Sequence, residues 1–128
     1  MRAKLLFVAS SIVFITACTT GKLYYTNDVN DRKLACDVEF VGLPSVDKFA
    51  VEYALSLCAH DALRKGYKLD ADQEYLLQLN TAIRSAPCGE SWNHGLAEKE
   101  YDEGRLSKKE YGYIVAHIDL GLAKVNQC

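Results

Sequence analysis

The sequence holds no Cys-x-x-Cys pair, no His-x-x-x-His, no Gly-x-Ser-x-Gly and no Gly-rich phosphate loop. The first gap weakens zinc and thioredoxin-type readings. The second removes the spacing that sets two metal ligands on one helix face. The third removes the strained turn that presents a hydrolase serine. There is also no basic run and no patch of interleaved aromatic and basic residues. With 15 Lys and Arg against 17 Asp and Glu, the net charge is −2. A mildly acidic chain offers no electrostatic footprint for nucleic acid or anionic lipid. No internal repeat or low-complexity tract is visible. No nucleic-acid partner, no cofactor and no metal is therefore expected.

Long apolar runs are scarce as well. The longest runs from Leu5 to Ile15, interrupted by Ser10 and Ser11. It falls short of the roughly 20 apolar residues that span a bilayer as a helix. Preceded by Arg2 and Lys4, it has the layout of a secretory signal. The run Ile15-Thr16-Ala17-Cys18 follows. It resembles the lipobox of bacterial prolipoproteins: a branched apolar residue, two small ones, then cysteine. An ordinary signal peptidase wants small residues at both −3 and −1, and Ile15 at −3 fails that test. The resemblance implies cleavage after Ala17, diacylglycerol on the Cys18 sulfur and a third acyl chain on the new amine. One chain binds membranes only marginally, whereas two or three anchor stably. Thr19 stands where an Asp would retain an enterobacterial lipoprotein in the inner membrane. The expected address is the outer membrane, facing the periplasm. Loss of Arg2 and Lys4 with the signal takes the net charge from −2 to −4.

Besides Cys18 there are Cys36, Cys58, Cys88 and Cys128. Outside the reducing cytosol an even set forms disulfides. Two bridges are expected, each contributing about 2–4 kcal/mol. A chain of this size can bury a core, but a modest one, so such covalent help matters.

The expected organisation is a signal peptide at 1–17, a lipidated tether at 18–31 and a single helical domain at 32–128. The tether reading rests on Gly21, Asn27, Asp28, Asn30 and Asp31. It would reach at most about 45 Å. Leu23-Tyr24-Tyr25 inside it reads as a segment laid on the domain, or as a docking spot. Leu34 to Val41 alternates like a short extended segment, ended by Gly42 and Pro44. Ser45 then suits an N-cap. Val46, Phe49, Ala50, Tyr53, Ala54 and Leu57 recur at helical spacing, giving a helix from Val46 to Lys65 closed by Gly66. Lys48, Glu52, Ser56 and His60 form its polar stripe. Residues 71–85 read as a second helix, because Ala, Gln, Glu and Leu are good helix formers. Tyr75, Leu77, Leu79 and Thr81 also alternate like a strand. A third helix spans Ser91 to Glu103. A fourth follows the capping box Ser107-Lys108-Lys109-Glu110 and carries Tyr111, Ile114, Val115, Ile118, Leu122 and Val125. Gly112 and Gly121 weaken that helix or let a neighbour approach closely.

The fold class expected is mostly α: a disulfide-stapled bundle of about four helices, or α+β if residues 75–83 form a strand. In a bundle, Cys58 and Cys128 lie at opposite heights, so their bridge is disfavoured. Cys36–Cys58 with Cys88–Cys128 leads, and Cys36–Cys128 with Cys58–Cys88 stays open.

Candidate chemistry is sparse. His60, His94 and His117 sit on three segments. His60 reads as solvated, His94 as a loop residue and His117 as a hydrogen-bonded residue beside an apolar face. Glu98/Asp102 and Glu100/Glu103 read as a solvated helix face. Tyrosine is a favoured interface residue. Tyr101, Tyr111 and Tyr113, with Trp92 upstream, form the candidate partner-binding surface. The leading function is a non-enzymatic interaction, accessory or inhibitor protein with an envelope protein partner. The alternatives are a small periplasmic enzyme, metal-assisted through His94 and carboxylates, and a structural envelope lipoprotein.

Overall fold

The computed structural model describes residues 17–128. The expected signal core, residues 1–16, lies outside the described residues. Two antiparallel strands, β1 (Ala17–Thr26) and β2 (Arg32–Gly42), lead into a long helix, α1 (Pro44–Arg64). A two-residue strand β3 (Lys68–Leu69) and a 3-10 segment (Ala71–Gln78) follow. Helices α2 (His94–Asp102) and α3 (Lys108–Asp119) complete the set. The sheet order is β2-β1-β3, with β1 central. The fold is therefore α+β, which overturns the mostly-α bundle.

The expected tether is the strand that disagrees most with its sequence reading. Thr19, Gly21, Leu23 and Tyr25 turn towards α1, and Leu23 is fully buried. Gly21 carries no side chain because α1 lies directly on it: a Cβ there would collide with the Val51 and Leu55 side chains. The closest approach of helix to sheet thus erased one apolar position from the alternating pattern. The turn-rich residues are confined to the hairpin. Asn27 organises it, its Oδ1 accepting from the Val29 and Asp31 amides at 3.1 and 3.0 Å.

Beyond β3, a side chain continues the ladder on β1. The Gln73 amide donates to the Lys22 carbonyl at 2.6 Å and accepts from the Tyr24 amide at 3.0 Å. Gln73 thereby satisfies two groups of an otherwise open edge.

The β2 reading holds, and α1 begins at Pro44 rather than Val46. Leu43, not Ser45, occupies the N-cap, with Pro at the first helical turn, where its missing N–H costs nothing. The polar stripe of α1 is broken at Ser56, which is fully buried and donates to the Leu76 carbonyl at 2.8 Å. α1 is covered on several sides: by the sheet, by α3 and by the 3-10 segment. Gly112 of α3 makes the helix crossing close, since a Cβ there would come 2.5 Å from the Val46 carbonyl and 2.7 Å from Phe49 Cβ.

Residues 71–85 form neither the expected helix nor a strand. The 3-10 segment stops at Gln78, and Leu79 is already extended. Leu77, Leu79 and Ile83 bury one side of the chain on the main core. Asn80 Oδ1 accepts the Ala82 amide at 3.1 Å, a local bond that competes with helix. The alternation is real, but it serves packing without ladder partners. Further on, Asn93 caps α2 by accepting the Leu96 amide at 2.9 Å. Both bonds of the Ser107–Glu110 capping box are present. α3 ends at Asp119, well before Val125.

The disulfides join Cys36 to Cys58 and Cys88 to Cys128, with Cα separations of 6.4 and 5.6 Å. The first staples β2 to α1. The second holds the C-terminal tail, where Asn126 also exchanges bonds with Gly89, Glu90 and Ala86. Among the described residues, no helix is long and apolar enough to cross a membrane.

Candidate functional site

The end of β2 turns sharply through Gly42 and Leu43 into α1, and α2 and α3 close over that corner. The result is a cleft of about 360 Å³. β2 contributes Glu39 and Phe40, the first turn of α1 contributes Val46 and Asp47, α2 contributes His94 and Glu98, and α3 contributes Tyr111, Val115 and Asp119.

Asp47 is the unusual member. Its residue is only 5 % exposed, and its Oδ2 has no hydrogen-bond partner among the described residues. Burial, with the Asp119 charge second, holds its carboxyl above the usual aspartate range. Asp119 in turn bonds to His94, Oδ1 to Nε2, at 2.7 Å. That pair is half-exposed, so it contributes little to stability. The Tyr111 hydroxyl is pushed up by burial first and then by the Glu98, Asp102 and Asp47 charges. Perturbed carboxyls in a cleft mark functional sites more often than chance. No three His, Cys, Asp or Glu side chains among the described residues converge closely enough to hold a metal ion.

Comparison with family models, with curated proteins and with solved structures gives no match for this chain.

The four residues expected to form a partner surface do not gather on one. Trp92 is buried and donates through Nε1 to the Arg84 carbonyl at 2.8 Å. It belongs to a small second core with Ala86, Ala97, Leu106 and Ile114. Tyr113 is buried in the main core, tilted against Tyr53 with ring centroids 5.4 Å apart. Burial first, then the Glu52 carboxylate, pushes its hydroxyl up to about 12. Tyr101 and Tyr111 remain half-buried and stack at 4.7 Å, and Tyr111 lines the cleft. Tyr25 and Tyr67 stack as well, at 4.3 Å. Much of the tyrosine is spent on internal pairs.

Of the histidines, His60 is exposed, and His117 is half-buried and bonded to Tyr53. His94 opens α2 rather than riding a loop. Glu98 is exposed, as expected of a solvated face, and it also borders the cleft. The sequence reading does not single out Asp47 or Asp119. Asp47 had a signal: it falls at helical spacing with Ala50 and Ala54, an acid inside an apolar stripe. Asp119 had none, because only the tertiary fold brings it beside residues of α1 and α2.

Cys18 lies at the same end of the sheet, beside the last residues of β2. It is exposed, unpaired and opposite Val41 in the ladder. The neighbouring Glu39 carboxylate, through hydrogen bonding, raises its thiol above the ordinary value.

Proposed function

We propose that the chain is a small bacterial lipoprotein, cleaved before Cys18 and anchored by acyl chains on that cysteine. It acts as a non-enzymatic binding protein at the periplasmic face of the outer membrane. The observation that carries this reading is the partition of the five cysteines. Four pair with each other, and the one in the lipobox position stays exposed and unpaired. Paired cysteines suit an oxidising compartment. An exposed Cys18 suits enzymatic acylation.

The anchor in this reading has no spacer. Cys18 already lies within β1, so the corner carrying Val41 and Leu43 rests at the lipid surface. Those two side chains are 64 % and 60 % exposed, and apolar groups there favour the interface. The binding function draws on the cleft, which opens on that same corner.

Palmitate labelling of the full chain expressed in a bacterium, with membrane fractionation, tests the anchor. Wild type should take label and sediment with membranes, while Cys18→Ser should take none and keep the mass of residues 1–17. A Cys18→Ser chain that matures and stays membrane-bound sinks the reading. In-cell crosslinking then tests for an envelope protein partner. A second reading, a small envelope enzyme, draws on the raised Asp47 carboxyl beside the His94–Asp119 pair. It requires turnover that Asp47→Asn abolishes.

A further inference from the structure

The cleft has one sign of charge. Asp47, Glu98 and Asp119 line it, while Glu39 borders it from the strand with its carboxylate turned to Cys18, and among the described residues no lysine or arginine lines it. The one imidazole in its wall among the described residues, His94, engages Asp119 Oδ1. Asp47 makes no ion pair among the described residues. Its own amide is committed to the Leu43 carbonyl at 2.8 Å. Its carboxylate lies over Gly42, where a Cβ would sit 3.3 Å from both oxygens. That glycine keeps the floor of the cleft open. A carboxylate oxygen left buried without a donor is costly, and a ligand that supplies one recovers the cost.

The shape narrows the ligand. The acids are spread over α1, α2 and α3 and do not converge on a point, so a compact metal ion cannot satisfy them together. A planar fork of five donors can reach separated carboxylates. The same walls offer Phe40, Val46 and Val115, which suit an alkyl stem. We propose that the cleft receives an arginine side chain presented by a partner protein, with Asp47 as the buried acceptor and Glu98 and Asp119 around the guanidinium. This rests on the reading of the chain as a binding protein, and not on its lipid anchor.

The test is a titration of the isotope-labelled full chain in detergent micelles with N-acetyl-arginine methylamide, followed by amide chemical shifts. The citrulline analogue, alike in shape but neutral, is run beside it. Saturable shifts should appear at Gly42, Asp47, Glu98 and Asp119, with citrulline at least about tenfold weaker because charge-assisted bonds are about twice as strong as neutral ones. Asp47→Asn should weaken arginine by a similar factor. Should that variant fail to fold, Glu98→Gln, at an exposed position, is expected to weaken it by about threefold. Equal binding of citrulline, unaltered binding by both variants, or no saturable shift overturns the proposal. So does calcium moving the same amides more strongly than arginine. A partner captured by crosslinking without any arginine response removes only the cleft chemistry and leaves the binding-protein reading in place.

Discussion

The Tyr53 hydroxyl lies 2.9 Å from His117 Nδ1, across the crossing of α1 and α3. Burial lowers the His117 value, and a Leu122 backbone contact opposes that only in part. Burial therefore favours the neutral ring in the fold, and the hydroxyl and Nδ1 share one hydrogen bond. A histidine lowered in the fold contributes stability that is complete above its unfolded value and is lost as pH falls through the folded one. Urea denaturation between about pH 5 and 8 should show that loss on the acid side. His117→Gln should flatten the slope. Tyr53→Phe should cost about 0.5–1.5 kcal/mol at neutral pH.

Asp47 runs the opposite way. Its carboxyl is raised by burial and by Asp119. Such a group contributes fully below its unfolded value, and the contribution is lost as pH rises through the folded one. At neutral pH the buried charge is a liability. Asp47→Asn should stabilise the fold by about 1 kcal/mol or more at pH about 7, and the gain should vanish in acid. A variant that gains stability while losing arginine binding would show the usual cost of a functional group. Denaturation curves at two pH values suffice.

Gly112→Ala sets two effects against each other. Alanine raises helix propensity by about 1 kcal/mol. The new methyl collides with the Val46 carbonyl and Phe49 Cβ, and overpacking costs about 1–3 kcal/mol. The collision involves backbone, so a net loss is expected. Gly95→Ala is the control. Its new Cβ would meet only Asn93 Oδ1, at 3.4 Å, and it should be neutral or gain up to about 1 kcal/mol.

The disulfides differ in what they close. The bridges span separations of 22 and 40 residues. Loop-closure entropy assigns about 3 kcal/mol to Cys36–Cys58 and about 4 kcal/mol to Cys88–Cys128. Replacing Cys36 and Cys58 by serine should lower global stability in urea by about the first amount. Replacing Cys88 and Cys128 should first free the tail, seen as protease cleavage beyond Gly121 while the sheet resists. Peptide mapping of the unreduced chain should recover only these two pairings.

Much of the local structure was legible because it depends on near neighbours. The Ser107–Glu110 cap, the end of α1 at Gly66 and the extended run to Gly42 each follow from residues within a few positions. The Cys36–Cys58 and Cys88–Cys128 pairing was also the leading choice, although the geometry that realises it is a strand beside a helix and not a bundle. The region 71–85 was misread because helix propensity is weak and loses to packing. There, Leu77, Leu79 and Ile83 gain more by lying extended on the core than a helix would return.

By itself the sequence determined the helices with strong periodicity and caps, the β2 segment and the preferred cysteine pairs, since these depend on short-range spacing and on parity. Only the tertiary structure decided that residues 17–26 form the central strand, because the apolar position that would betray it is Gly21, emptied so that α1 can touch the sheet. It alone decided that Trp92 and Tyr113 are interior, and that Asp47, Glu98 and Asp119 share one cleft. Charges on three elements meet only when long-range packing brings those elements together, and no local pattern records that.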